Sequence, residues 1–466
     1  MTREISPRTS VRLPASALRG RIVGGAAVLV TAGALVLAAT APAPSRRMAD
    51  GTSHTKAVPR TLVCAGGLAH AAAQIGVSDG GPSSTLTTSG PAVRKSRATL
   101  AKSPLIVTGS AQVAARTYAV RTASDRRWFA AGTCPGPRSD SWFVGVGASQ
   151  AHHSIVSVTN PLPGGALVDV RVLGPKGMVT APGLRNLNVA SGATVKLDLS
   201  RVAPAVGDLA VQIRTTRGLV VASAADSWSP DFVDRPVGDW VEDQPTATRR
   251  LTLAGLPSAS GASKSGATAL VANPAATEAV VAITLVGAEG TYAPTKGGTV
   301  RVPPGSVKAV SLGTMLRTAP AAVRLSSNVP IAATVRGTSG SDIAYASAIA
   351  PLGSSSVVGI PPHSGPARLV LVARAVKEHV TVTGYSATGT RVGSQMLTVP
   401  ARASLSTTLS PKASALQISG AEAAGGVVVL DGSGKGKKRV GLAVLRLVPS
   451  ASQAHVPPVA PGWIMP

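Results

Sequence analysis

The chain repeats itself. Ser154 to Ser200 lies over Ala267 to Gly313 at a constant offset of 113 residues, with no gap. The identities fall at structural punctuation: Val158/Val271, Asn160/Asn273, Pro161/Pro274, Val168/Val281, Gly174/Gly287, Gly177/Gly290, Val189/Val302, Gly192/Gly305 and Leu199/Leu312. A third, worn copy follows. Its Val380-Thr-Val382 and Gly389 match Val281-Ala-Ile283 and Gly290, Val399 matches Val302, and Leu409 matches Leu312. A period of about 100 residues is one small β-domain per copy, not a solenoid turn. Tandem copies on this scale predict a rod or stalk.

Within a copy the hydrophobic period is two. Ser154-Ile-Val-Ser-Val158 alternates, and Val168, Val170 and Val172 face away from Leu167, Asp169 and Arg171. That is the pattern of half-buried antiparallel strands. Turn residues such as Asn160-Pro-Leu-Pro-Gly-Gly165 and Gly174-Pro-Lys-Gly177 separate the runs. About seven short strands per copy predict a β-sandwich. The expected fold is all-β: three tandem immunoglobulin-like sandwiches after an N-terminal transmembrane helix and a disulfide-closed β-region. The expected partition is a basic tail (1–21), a membrane segment (22–41), a linker (42–60), a β-region (61–150), repeats at 151–256, 257–362 and 363–450, and a tail (451–466).

Composition supports the absence of long helices, since 50 Gly and 36 Pro punctuate the chain. Aromatics are only 3%, so Ala, Val and Leu must fill the cores. Arg outnumbers Lys 33 to 13, which suggests a GC-rich genome such as an actinobacterium's. The net charge of +26 falls only to +20 without residues 1–47, but the excess is scattered. Its clusters, such as Arg94-Lys95 and Lys435 to Arg439, lack interleaved aromatics for stacking bases, so a nucleic-acid partner is not expected. A diffuse positive field instead favours anionic lipid or wall polymer.

Five arginines between Arg3 and Arg21 precede an apolar run from Ile22 to Ala41. About 20 apolar residues suffice to cross a bilayer. Proline follows each candidate cleavage site, at Pro42 and Pro44, which favours an uncleaved signal anchor over a cleaved signal peptide. The arginines place the N-terminus in the cytoplasm and export the rest, whether anchored or secreted. Cys64 and Cys134, the only cysteines, both lie in the exported part. An even pair there is most simply a disulfide; the alternative is two buried thiols. Trp128 and Trp142 bracket Cys134-Pro-Gly-Pro137 and are expected to pack around that bond.

Trp128-Phe129, Cys134-Pro135, Trp142-Phe143, Thr159-Asn160-Pro161, Ala181-Pro-Gly-Leu184 and Arg217-Gly218 together resemble an actinobacterial envelope family, the domain of unknown function number 5719. The resemblance spans roughly Leu62 to Val448. It implies a surface-exposed β-protein with no assigned activity. Two departures stand out: the third copy reads Val372-Ala-Arg-Ala375 where Asn-Pro is expected, and the first cysteine context, Leu62 to Gly67, lacks an aromatic.

Chemistry-bearing motifs are sparse. Adjacent His152 and His153 point to opposite faces of a strand and cannot easily share a metal. Gly432 to Arg439 lacks the spacer and Ser/Thr of a phosphate loop and reads as a hairpin turn. No nucleophile elbow, zinc-protease motif or paired-carboxylate motif occurs. The expectation is no catalytic, cofactor or metal residues. One stretch stands apart. After the fifth strand repeat 1 carries an insertion from Trp228 to Arg250, and Asp226, Asp231, Asp234, Asp239, Glu242 and Asp243 gather there. Trp228, Asp231, Phe232 and Trp240 are therefore a candidate ligand loop, the alternative being a solvated loop that docks its tryptophans on a neighbour. The functional expectation is a non-catalytic, membrane-anchored envelope scaffold or accessory factor. The rivals are a wall-polymer or carbohydrate binder using this loop, and an exported hydrolase using its acids.

Overall fold

A computed structural model of the chain describes residues 60–68, 73–79, 87–89, 98–100, 104–109, 113–122, 127–229, 236–256, 266–313, 321–339, 342–363, 365–421, 424–433 and 439–449. These residues are almost entirely β. The N-terminal region holds β1 (Arg60–Cys64), β2 (Ala73–Asp79), β3 (Thr87–Ser89), β4 (Ala98–Leu100), β5 (Leu105–Gly109), β6 (Val113–Thr122) and β7 (Arg127–Thr133). Repeat 1 holds β8 (Asp140–Val146), β9 (His152–Thr159), β10 (Ala166–Gly174), β11 (Gly177–Val179), β12 (Leu187–Val189), β13 (Thr194–Asp198), a one-turn helix α1 (Leu199–Val202) capped by Asp198, β14 (Leu209–Arg217), β15 (Val221–Trp228) and β16 (Val237–Val241). Repeat 2 holds β17 (Thr248–Ala254), β18 (Ala267–Asn273), β19 (Ala279–Gly287), β20 (Gly290–Tyr292), β21 (Thr299–Val302), β22 (Ser306–Ser311), β23 (Ala322–Ser339) and β24 (Asp342–Ser347). Repeat 3 holds β25 (Gly353–Gly359), β26 (Ala367–Val372), β27 (Glu378–Tyr385), β28 (Arg391–Val399), β29 (Ser404–Thr408), β30 (Ala415–Ala421), β31 (Gly425–Ser433), β32 (Arg439–Arg446) and β33 (Val448–Pro449).

One pairing scheme recurs four times. Counting principal strands in order, one sheet is 1-5-3 and the other is 4-2-6-7. The N-terminal region pairs β1-β5-β3 and β4-β2-β6-β7; repeat 1 pairs β8-β14-β10 and β13-β9-β15-β16. Repeat 3 pairs β25-β30-β27 and β29-β26-β31-β32. In repeat 2 the fifth and sixth strands are one long strand, β23, which pairs β17 and β19 along its first half and β18 and β24 along its second. The N-terminal region is thus a fourth two-sheet copy, not a separate kind of β-region before three. The strand pairing also sets each boundary earlier than the sequence register does. β8 pairs with β14 of repeat 1 although it precedes the recognisable repeat.

The register of 113 residues has a physical cause at the turns. Asn160 donates its amide to Gly164 O and Val189 O, while its carbonyl accepts from Leu162 N–H. Asn273 makes the equivalent bonds to Thr277 O and Val302 O and from Ala275 N–H. Each Asn plugs a corner that the backbone cannot satisfy alone. Across from it, Gly192 and Gly305 sit at φ 73° and 63°, where a side chain is disfavoured.

The four sandwiches do not run in line. The 1-5-3 sheets of repeats 1, 2 and 3 pack on the 4-2-6-7 sheets of repeat 2, repeat 3 and the N-terminal copy, respectively. Trp142, Val144 and Ala210 of repeat 1 share a cluster with Leu270, Ala272 and Val307 of repeat 2. Ala254, Val286 and Ala322 of repeat 2 meet Val370, Val429 and Val444 of repeat 3. Tyr118, Phe129 and Ala131 of the N-terminal copy join the core of repeat 3. Leu68 packs into the core of repeat 1, and Trp240 Nε1 donates to Gly66 O. A head-to-tail contact that returns to its start is a closed ring. The seventh strands complete it: β7 touches β16 and β32, and β24 touches the same two.

The cysteines form the expected bond, with Cα atoms 4.4 Å apart across 70 residues. It sits among Leu62, Ile75, Leu105, Val107, Val113 and Ala115. The two tryptophans expected around it lie elsewhere, because the ring draws them into neighbours. Trp128 enters the core of repeat 1, and Trp142 the junction of repeats 1 and 2. The apolar run at 22–41 lies outside the described residues. Among the described residues, no helix is long and apolar enough to cross a membrane.

Candidate functional site

Each seventh strand is the free edge of its sheet, and an edge presents unpaired N–H and C=O groups. Here four edges converge on one axis. They do not form a regular ladder across it. Carboxylates from one copy cap the amides of others.

Asp342, at the start of β24, is the clearest case. One carboxylate oxygen accepts from Phe129 N–H on β7 at 3.2 Å and from Leu442 N–H on β32 at 2.9 Å. The other accepts from Ile343 N–H at 2.9 Å. Three copies are tied through one side chain that is 1% exposed. Burial pushes this carboxyl up to about 7, against the pull of those three N–H donors. Asp239 on β16 accepts from Trp240 N–H and from the backbone of Ala131 on β7. Burial, and then the charge of Asp342, raise it well above the usual carboxylate range. Glycine allows the close approach. A Cβ on Gly441 would lie 2.7 Å from Phe129 Cβ, and Gly441 holds φ at 100°.

A second layer is ionic. Arg446 on β32 donates to Asp243 Oδ1 at 2.8 Å and to the Asp243 carbonyl, and its Nε lies 3.4 Å from Glu242 Oε2. Asp243 also takes Arg138 at 2.7 Å. Glu242 Oε1 accepts from Thr133 N–H and Oγ1 on β7, and Ser347 Oγ of β24 donates to the Glu242 carbonyl. Among the described residues, Glu242 Oε2 has no hydrogen-bond donor and faces the charge of Arg446. Burial raises Glu242 despite Arg446. Burial would raise Asp243 too, but Arg138 and Arg446 outweigh it and hold the carboxyl below its usual range.

A third cluster joins repeats 1 and 2. Asp226, fully buried, is reached by His152 Nε2 at 3.0 Å and by the hydroxyls of Ser154 and Tyr345. His152 meets Trp228 edge-on at 4.7 Å, and Arg336 lies 4.4 Å over the Trp228 ring while it pairs with Asp208 at 2.7 Å. Burial, then the Asp226 charge, push the Tyr345 phenol well up. Ser, His and Asp are all present, yet Ser154 bonds the carboxylate and Gly147 N–H rather than the imidazole. A nucleophile needs its base on the hydroxyl, so this is not the arrangement of a hydrolytic triad.

The candidate ligand loop separates into parts. Residues 237–241 are β16, the seventh strand of repeat 1, and 248–250 open β17 of repeat 2, so the stretch contains the strand that completes one sandwich and the start of the next. Trp240 is buried at 4% exposure and is not a free sugar platform. Trp228 is half-buried against His152 and Arg336. Asp231 and Phe232 lie outside the described residues. His153 faces away from His152, as the strand period requires, and bonds Asp198 at 2.9 Å. No group of three or more metal-ligating side chains occurs among the described residues. Sequence reasoning missed Asp342, Arg446, Arg336 and Tyr345. The available signal was a charge at the very start or end of an apolar seventh strand.

A model of a family of unknown function (DUF5719) matches residues 87–411. The chain belongs to that family. No curated protein and no solved structure matches it.

Proposed function

We propose that this chain is a non-catalytic, membrane-anchored scaffold or accessory factor of an actinobacterial cell envelope, exported beyond residue 41 and built of immunoglobulin-like sandwiches. The observation that carries this reading is the use made of the buried acids. Asp239, Asp342, Glu242 and Asp243 spend their oxygens on edge amides and on Arg446 and Arg138. A catalytic carboxylate needs a substrate within reach and a proton to move; these hold four copies together. The Cys64–Cys134 bond supports an oxidising compartment. A ring of sandwiches offers a rigid body whose outer loops are free to meet partners. Whole-cell labelling with a membrane-impermeant amine reagent, followed by carbonate extraction, tests the reading. Labelling of intact cells and retention in the membrane pellet are expected. Labelling only after lysis, or release into the supernatant, contradicts export or anchoring respectively.

A further inference from the structure

Repeat 3 departs from its sisters at one corner. In repeats 1 and 2 the turn after the second strand is Asn160-Pro161 or Asn273-Pro274, and the facing turn carries Gly192 or Gly305. The backbone of this corner survives in repeat 3: Ala373 N–H donates to Ala403 O, as Asn160 N–H donates to Ala193 O. The side chains do not survive. Asn-Pro has become Ala373-Arg374, and the glycine has become Arg402. Arg402 keeps the left-handed backbone at φ 57°, a conformation an arginine adopts only under strain. A third arginine arrives from the neighbouring copy. Arg324, on β23 of repeat 2, donates through Nη2 to Ala373 O.

Three arginines thus meet at one corner: Arg374 follows Ala373, Arg402 precedes Ala403, and Arg324 donates to the Ala373 carbonyl. They feel each other: after burial, Arg374 and Arg402 both press the Arg324 pKa down. Among the described residues, neither Arg374 nor Arg402 pairs with a carboxylate, and both are exposed. A solubilising arginine has no need of a left-handed turn position, since many unstrained surface sites were open to it. Strain kept at a site where charges repel is what a ligand of opposite charge would reward.

We propose that Arg324, Arg374 and Arg402 form a phosphate-binding site at the junction of repeats 2 and 3. Guanidinium forks match phosphate oxygens two at a time, and three cations favour a multiply charged anion over a single carboxylate. The phosphate could be soluble or a lipid headgroup, and two arms of one experiment separate these sources. Calorimetric titration of the full chain with inorganic pyrophosphate is run beside sedimentation with phosphatidylglycerol and phosphatidylcholine vesicles. The test variant, Arg374→Pro with Arg402→Gly, installs the residues of repeats 1 and 2.

Wild type is expected to bind pyrophosphate and to melt higher in its presence. The variant should bind at least tenfold more weakly, yet melt at or above wild type without anion, because the strained turn is relieved. Arg402→Gly alone serves if the proline disturbs folding. Binding of phosphatidylglycerol but not phosphatidylcholine vesicles, lost in the same variant, extends the site to headgroups. Pyrophosphate binding without vesicle binding assigns it to a soluble anion. Unchanged affinity in the variant overturns the proposal. So does an equal loss in Arg249→Ala/Arg250→Ala, which removes the same charge elsewhere.

Discussion

The rim and the axis of the ring solve opposite problems. At the rim, each copy closes its own turns, and repeats 1 and 2 do so with the same residues: Asn160 and Asn273 plug the same carbonyls. At the axis the copies must close on one another, and each contributes something different. The N-terminal copy gives Thr133 and the Phe129 amide, repeat 1 gives Asp239, Glu242 and Asp243, repeat 2 gives Asp342, and repeat 3 gives Arg446. Four identical acids there would be costly. Four equivalent carboxylates buried around one axis would repel and could not all ionise. In this ring the repeat is therefore visible away from the centre and lost at it.

The largest effect should come from unbalancing the axis. Arg446→Ala leaves Asp243 with Arg138 and Ser141, and Glu242 with Thr133 and without a buried counter-charge, a change of about 3–5 kcal/mol. Denaturant titration should show that loss as a lowered midpoint. Asn160→Ala at the rim is the control that keeps the axis intact.

The protonation of the axis sets the next effect. Asp342 has a folded value of about 7 against an ordinary 3.8, so the native state binds the extra proton. Its contribution is complete below about pH 4 and is lost as pH rises through 7, by about 4 kcal/mol for a shift of this size. Asp239 and Glu242 are raised and act in the same sense. Asp243 is depressed, so its contribution disappears only as pH falls below 3.8. Stability measured from pH 4.5 to 8 should therefore decline with pH, and Asp342→Asn should flatten the curve. A profile that rises across this window in wild type contradicts the assignment.

The disulfide comes third. Closing a loop across 70 residues is worth about 4 kcal/mol in the chain-entropy model and typically 2–4 in practice. A linear array would confine the damage of Cys64→Ser to residues 61–150. The ring predicts otherwise, because β7 contacts both β16 and β32. Calorimetry should show the whole transition of the ring shifting down, not one peak detaching from the rest.

The rim gives the smallest effect. Asn160→Ala removes three local hydrogen bonds and should cost about 1–3 kcal/mol. Asn273→Ala should match it, and exchange measurements should place the loosening in the affected repeat alone.

What the sequence made legible follows the same division. Strand periodicity and the Asn-Pro and Gly positions marked the all-β sandwiches, because those residues answer to local backbone needs. The disulfide was legible from an even cysteine count in an exported segment. The fourth copy was not, since the N-terminal region shares a strand order with the others but not their turn residues. The ring was not legible either. Trp142 and Trp240 read as disulfide cover and ligand loop, because one small core cannot show which neighbour will claim a large side chain. Asp342 showed locally only as a charge opening an apolar strand; its partners are 213 residues before it and 100 after it in sequence, so its role could not be read from its neighbours.

Amide hydrogen exchange on β7 and β32 addresses ring closure most directly. Both strands are sheet edges, and their Phe129 and Leu442 amides end on the same carboxylate of Asp342. Peptides covering 127–133 and 439–446 should be as protected as the central strands β14 and β31, and both should lose protection together in Asp342→Ala. Rapid exchange of the two edges in the wild-type chain, at the rate of open strands, would contradict a closed ring.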